Sequence, residues 1–210
     1  MGSRRKALEH RESPPEFTFL VEKALELGAT TAALMPAEQV VVDERVRLKC
    51  AVPACPGYGN YLFCPPNTMP VQEFRRTLDR YSVALLVQVE SQRNSLDLDT
   101  ETMGDKDLIK LEEELHGDSN RALGKLVGRL EAEAFKAGYY YATGFTGGIC
   151  ILCPECVTVA SGKACRRPLE ARPAMEGVGI DVFKTAANAG LPIALSSDAP
   201  VRWTGLILVD

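Results

Sequence analysis

Seven cysteines in two groups constrain this chain more than any other feature of its sequence. Cys50, Cys55 and Cys64 form the first group, and Cys150, Cys153, Cys156 and Cys165 the second; the stretch from Pro65 to Ile149 between them holds none. If each group binds metal, the fold must bring its thiols towards a common centre. In a reducing compartment disulfides are a poor explanation for clustered thiols, and an odd number weakens it further. Metal or redox chemistry is the better account.

The second group is the more specific. Cys150-Ile-Leu-Cys153-Pro-Glu-Cys156 is a Cys-x2-Cys-x2-Cys run, and Cys165 follows nine positions on. Two residues between thiolates allow a tight turn that points both sulfurs at one centre. A third thiolate at the same spacing wraps the chain around something larger than a single ion. Ferredoxin clusters take three ligands from such a run and the fourth from a distant cysteine, and Cys165 is placed to be that fourth. Pro154 suits a turn that must not become helix, and Gly147-Gly148 gives the backbone room to approach inorganic sulfide. The run therefore reads as a site for a 4Fe–4S cluster, with a tetrahedral four-cysteine zinc site or inert core thiols as the alternatives.

The first group has wider spacings, and Pro53, Pro56, Gly57, Gly59, Pro65 and Pro66 make its surroundings an irregular loop. Three thiols leave a fourth position to be filled. A cluster could keep one iron open, take a non-cysteine ligand or share a cysteine of the second group; a zinc ion with an oxygen or nitrogen ligand, or no metal at all, is the alternative.

The loop Cys50-x4-Cys55-x2-Tyr58-Gly59-x4-Cys64-Pro65-Pro66, followed by Gly148-x-Cys150-x2-Cys153-x2-Cys156 and then Cys165-Arg166-Arg167-Pro168, resembles a family of uncharacterised bacterial and archaeal predicted metal-binding proteins. The similarity extends through Arg172-Pro173-Ala174-Met175-Glu176, Gly179-Ile180-Asp181-Val182 and Trp203-Thr204-Gly205-Leu206, covering the chain from about Lys49 to Asp210. The resemblance implies metal binding through these cysteines and names neither the metal nor a reaction.

Composition removes several classes. The chain has 210 residues, 46% hydrophobic and 25% charged, enough to bury a core without metal staples. Lys+Arg is 24 against Asp+Glu 28, a net charge of −4, so no basic excess exists for general nucleic-acid binding. No apolar run approaches the roughly 18 residues that a membrane span needs. The basic start, Arg4-Arg5-Lys6, is followed by charged residues instead of an apolar stretch, so a cytoplasmic location is expected.

The elements expected from pattern are a frayed segment over 1–14 and a single α/β domain over 15–210. Within it a helix opens at Pro15 and ends at Gly28, and strands cover Thr31–Met35 and Gln39–Leu48, the latter delivering Cys50 at its end. A helix over Pro70–Arg80 and a buried strand over Ser82–Val89 follow, then a polar loop over Ser91–Gly104. A long helix over Asp105–Ala137 is interrupted near His116-Gly117-Asp118-Ser119 and closed by Gly138. A strand at Tyr139–Thr143, a helix at Asp181–Ala189 and a strand at Val201–Val209 complete the set. The expected fold is α/β (α+β): a single mixed sheet flanked by helices, carrying two irregular cysteine-rich loops.

Other features rank lower. Gly144-Phe-Thr-Gly147-Gly148 lacks phosphate-loop spacing. His10 and His116 sit in polar stretches and read as surface histidines, and Glu101, Glu112, Glu113 and Glu114 as solvated surface. Arg166, Arg167 and Arg172 follow Cys165 closely. A guanidinium at about 5 Å and an effective dielectric of about 20 attracts a cluster's negative charge by about 3 kcal/mol before solvation costs. Tyr58, Tyr61 and Phe63 are placed to shield a cluster from water. The expected function is that of an iron–sulfur protein holding one or two 4Fe–4S clusters, moving electrons to a redox partner protein or using an open iron; a zinc-binding module without catalysis is the alternative.

Overall fold

The computed structural model describes residues 15–53, 55–91, 105–194 and 199–210. The expectations for 1–14 and for nearly all of the 91–104 loop lie outside these residues. So do the side chains of His10, His116, Glu101, Glu112 and Glu113.

Apolar runs and helical stripes sort the chain into three layers. The most apolar run, Val83–Glu90, forms strand β2, buried on both faces up to its last residue. On one side it pairs with β1 (Thr31–Pro36), on the other with β4 (Arg202–Val209), and β4 pairs in turn with the short β3 (Thr143–Phe145). All three pairings are antiparallel, so the single sheet is antiparallel throughout and not mixed. The fold is α+β.

One face of the sheet, carrying Leu85, Val87 and Ile207, is covered by α1 (Thr18–Glu26) and α4 (Asp105–Lys136) through Leu20, Ala24, Leu123, Val127 and Leu130. The other face, carrying Leu86, Leu206 and Leu208, meets Phe74 and Leu78 of α3 (Val71–Leu78), Ala186 of α5 (Val182–Asn188) and the connecting residues Met175, Val178 and Ile180. Side chains alternate between the faces along each strand, which is why one apolar run serves two cores.

Three expectations fail for identifiable reasons. Gln39–Leu48 is not a strand: residues 44–51 form helix α2, and Val42 contributes only an isolated bridge to Ile180. Asp43 caps this helix by accepting from the Arg45 N–H at 2.9 Å. The apparent alternation had no buried face behind it, since Leu48 is 57% exposed. Cys50 therefore sits in the last turn of a helix. Tyr139–Thr143 is largely a turn that folds back from α4: Tyr139 donates to Ala134 O, Ala142 donates to Tyr139 O, and β3 begins only at Thr143. Tyr139 stays against Phe17, 4.9 Å between ring centroids, while Tyr140 and Tyr141 face water. Finally, α4 runs unbroken through 116–119, with Gly117 buried within it.

Candidate functional site

The cysteines lie at one end of this framework, on segments tied to one another by backbone hydrogen bonds. Past β3 the chain continues along β4. Thr146 donates to Pro173 O at 2.9 Å and accepts from Met175 N–H at 2.7 Å, so residues 173–175 lie beside it and deliver Glu176. Asp43 N–H donates to Gly179 O and Asp181 N–H to Val41 O, both at 2.8 Å, which sets α2 against the same connection. The Thr68 hydroxyl donates to Gly177 O at 2.8 Å and closes the first cysteine loop onto it. Within that loop Cys55 N–H donates to Cys50 O at 2.9 Å and Tyr58 N–H to Cys55 O at 2.8 Å. The two cysteine loops are joined by Val159 N–H donating to Asn60 O at 2.8 Å.

The two groups open into different cavities. Cys50, Cys55 and Cys64 line one of about 650 Å³, together with Tyr58, Ile149, Glu176 and Phe183. Its mouth carries Lys49 and two ion pairs, Arg45 with Asp43 and Lys184 with Asp181. Cys150, Cys153, Cys156 and Cys165 line a second, narrow cavity of about 20 Å³ with Tyr61, Phe63, Arg166 and Arg167. The aromatic residues of the first loop are thus divided: Tyr58 faces its own group, whereas Tyr61 and Phe63 cover the other. As it stands the narrow cavity has room for about one water. The second loop contains only one three-residue 3-10 turn, Val159–Ser161, so it can widen without breaking a sheet ladder.

Burial dominates the electrostatics of both groups. The Cys64 thiol, 6% exposed, is pushed up to about 12 by desolvation, reinforced by the charges of Cys55, Cys50, Cys150 and Glu176. Cys50 is raised by burial and then by Cys55 and Glu176. Cys150 is raised by burial and by Cys165, Cys156 and Cys153, against a backbone hydrogen bond from Leu152. All four members of the second group therefore share one electrostatic neighbourhood. Among the described residues, however, no three His, Cys, Asp or Glu side chains are gathered closely enough to chelate a single ion.

Three features test whether a metal group suits these residues. The donor sets are thiol-rich, as soft metals and iron–sulfur clusters require. The first loop comes so near Cys64 that a Cβ on Gly57 would stand 3.0 Å from the Cys64 sulfur and 2.6 Å from Ile149 Cγ2. In the same cavity the Glu176 Oε2 atom is shut off from water and has no hydrogen-bond partner. The residues fit. A family model describing predicted metal-binding proteins (DUF2284) matches residues 33–209.

The chain belongs to the DUF2284 family.

No curated protein and no solved structure matches it. Membership makes metal binding the family's predicted property and leaves the metal and the reaction open. In this DUF2284 chain the arginines expected beside the second group play unlike parts. Arg166 donates to Glu155 O at 2.7 Å, and the Arg167 backbone N–H donates to the Cys165 sulfur at 3.3 Å, a contact suited to a thiolate. Arg172 instead forms a bidentate pair with Glu131 of α4, so its charge serves the fold. Gly147-Gly148 answers to β4 and not to sulfide: a Cβ would meet Thr204 O at 3.0 Å from Gly147 and Trp203 Cζ3 at 2.9 Å from Gly148, whose φ is +68°. Glu176 went unnoticed as a candidate. A lone carboxylate within the apolar stretch Ala174-Met175-Glu176-Gly177-Val178 was the available signal. Among the described residues no helix is long and apolar enough to cross a membrane.

Proposed function

We propose that this chain is an iron–sulfur protein of a reducing, cytoplasmic compartment. Cys150, Cys153, Cys156 and Cys165 hold a 4Fe–4S cluster that carries electrons, and Cys50, Cys55 and Cys64 hold a second centre facing the 650 Å³ cavity. The observation that carries this reading is the meeting of all four cysteines of the second group at one narrow cavity beside Arg166 and Arg167. The Arg166 guanidinium there, held by Glu155 O, would offset the negative charge of a four-thiolate cluster and favour its reduced form, whereas that of Arg167 is paired with Glu170. A thiolate triad with Tyr58, Ile149 and Phe183 around it supplies a largely apolar chamber in which a small molecule can meet the first centre. Electrons reach the pair of centres from a redox partner protein.

The test is metal and acid-labile sulfide analysis with an absorption spectrum, on protein purified without oxygen. About eight iron and eight sulfide per chain are expected for two four-iron clusters, and Cys153→Ala should remove the contribution of the second group. Colourless protein with one or two zinc ions and no sulfide would overturn the reading in favour of a structural zinc module.

A further inference from the structure

The first cysteine group supplies three thiols to a centre that calls for a fourth ligand, and the chain places one polar side chain against them. Glu176 lies on the same cavity wall as Cys50, Cys55 and Cys64. Its carboxylate is near enough to both Cys50 and Cys64 for its charge to act on their thiols. Its Oε2 has no hydrogen-bond partner and no contact with water. A buried carboxylate oxygen left without a partner is costly, and native structures tolerate it where the group is neutralised or coordinates a metal. The carboxylate also meets backbone N–H groups of Gly148 and of Glu176 itself, and a cation shared with the three thiolates would give its remaining oxygen a partner.

The backbone around Glu176 is held firmly enough for a ligand. Met175 N–H donates to Thr146 O at 2.7 Å, and the next carbonyl, Gly177 O, accepts from the Thr68 hydroxyl at 2.8 Å. Glu176 is thus gripped from the β3 side and from the first cysteine loop itself. We propose that the Glu176 carboxylate is the fourth ligand of the metal centre held by Cys50, Cys55 and Cys64. This rests on the reading that those three cysteines bind metal. A carboxylate oxygen is a harder ligand than thiolate and holds iron less tightly, which leaves that position exchangeable towards a molecule in the cavity.

The experiment compares the full chain with Cys64→Ala, Glu176→Gln and Glu176→Cys, each purified without oxygen. It measures iron and sulfide content, loss of iron to a chelator, and Mössbauer spectra of ⁵⁷Fe-loaded protein. Glu176→Gln is expected to lose the iron of the first centre at least about tenfold faster while the second centre stays intact. Glu176→Cys is expected to restore retention and to convert the distinct iron site to an all-thiolate signature. If Glu176→Gln keeps wild-type retention and spectrum while Cys64→Ala loses a centre, the ligand assignment is overturned and the three-cysteine centre stands. If Cys64→Ala also keeps full iron and sulfide, the three-cysteine centre itself falls. Loss of both centres together in Glu176→Gln, or no rescue by Glu176→Cys, would give Glu176 a structural role and overturn the assignment.

Discussion

Cys64 and Cys150 belong to different groups and open into different cavities, yet the charge of Cys150 acts directly on the Cys64 thiol. The chain passes between the cavities twice. Phe63 lines the narrow one and Cys64 the large one, while Ile149 lines the large one and Cys150 the narrow one. On the proposed iron–sulfur reading, two centres bound to neighbouring residues in this way would be close enough to exchange electrons and to sense each other's spins. In reduced protein the electron paramagnetic resonance signal of each centre should be broadened by the other. Cys153→Ala should leave the first centre's signal sharp. Identical line shapes before and after the substitution would place the centres out of contact.

Gly57 controls how near the first loop approaches its own ligand. An alanine Cβ there would lie 2.6 Å from Ile149 Cγ2 and 3.0 Å from the Cys64 sulfur, so either the loop or the thiol must shift. Overpacking of this kind costs about 1–3 kcal/mol, and part of that cost would fall on the metal site. Gly57→Ala should lower iron retention at the first centre about tenfold and leave the second centre's spectrum unchanged. Elemental analysis after a timed chelator challenge measures both.

Metal-free protein should weaken as the solution becomes alkaline. The Cys64 thiol is pushed up to about 12 in the folded chain by burial, whereas in the unfolded chain it ionises near the ordinary value of about 8.5. Between these values the unfolded state has released a proton that the folded state keeps. The contribution of this group to stability is therefore constant below about pH 8.5 and falls above it, by up to about 1.4 kcal/mol per pH unit. Urea unfolding at pH 7.5 and pH 10 checks it: Cys64→Ala should lose less stability over that interval than the wild type. An equal loss in both would show that Cys64 is not the source.

Much of the framework was legible because its elements are set by local pattern. β2 follows from an uninterrupted apolar run, α4 from a long apolar stripe closed by Gly138, whose φ is +101°. The elements that misled lie where pattern and packing disagree. Val42, Val46 and Leu48 satisfy a period of two and nearly satisfy a helical one. The Asp43 cap decided for the helix, and no sheet neighbour was present to decide otherwise. The site was legible in its cysteines, since their spacing is a local property. Glu176 was not, because its significance comes from Thr146 and Thr68, which approach it from distant parts of the chain. The arginines could not be sorted by sequence either: Arg167 and Arg172 follow Cys165 by two and seven positions, and it is the fold that sets Glu170 beside the first and Glu131 of α4 opposite the second.

That pairing carries the last prediction. Arg172 donates from Nε to Glu131 Oε2 at 2.8 Å and from Nη2 to Oε1 at 2.5 Å, and Gly144 N–H donates to the same Oε2 at 2.6 Å. One carboxylate thereby joins α4, the start of β3 and the segment that leads to Glu176. Both side chains are mostly buried, at 15% and 20% exposure, so removing one leaves the other charge poorly solvated. Glu131→Gln should destabilise the chain by about 2–4 kcal/mol, a little less than for a fully buried pair. Arg172→Met in that background should return part of the loss by removing the stranded cation. Thermal unfolding of the wild type, the single variant and the double variant measures both effects. Iron content should stay at the wild-type value in every variant that remains folded, because Arg172 stabilises the fold and holds no part of either centre. A selective loss of the second centre in Glu131→Gln would show that the pair also positions the cysteines.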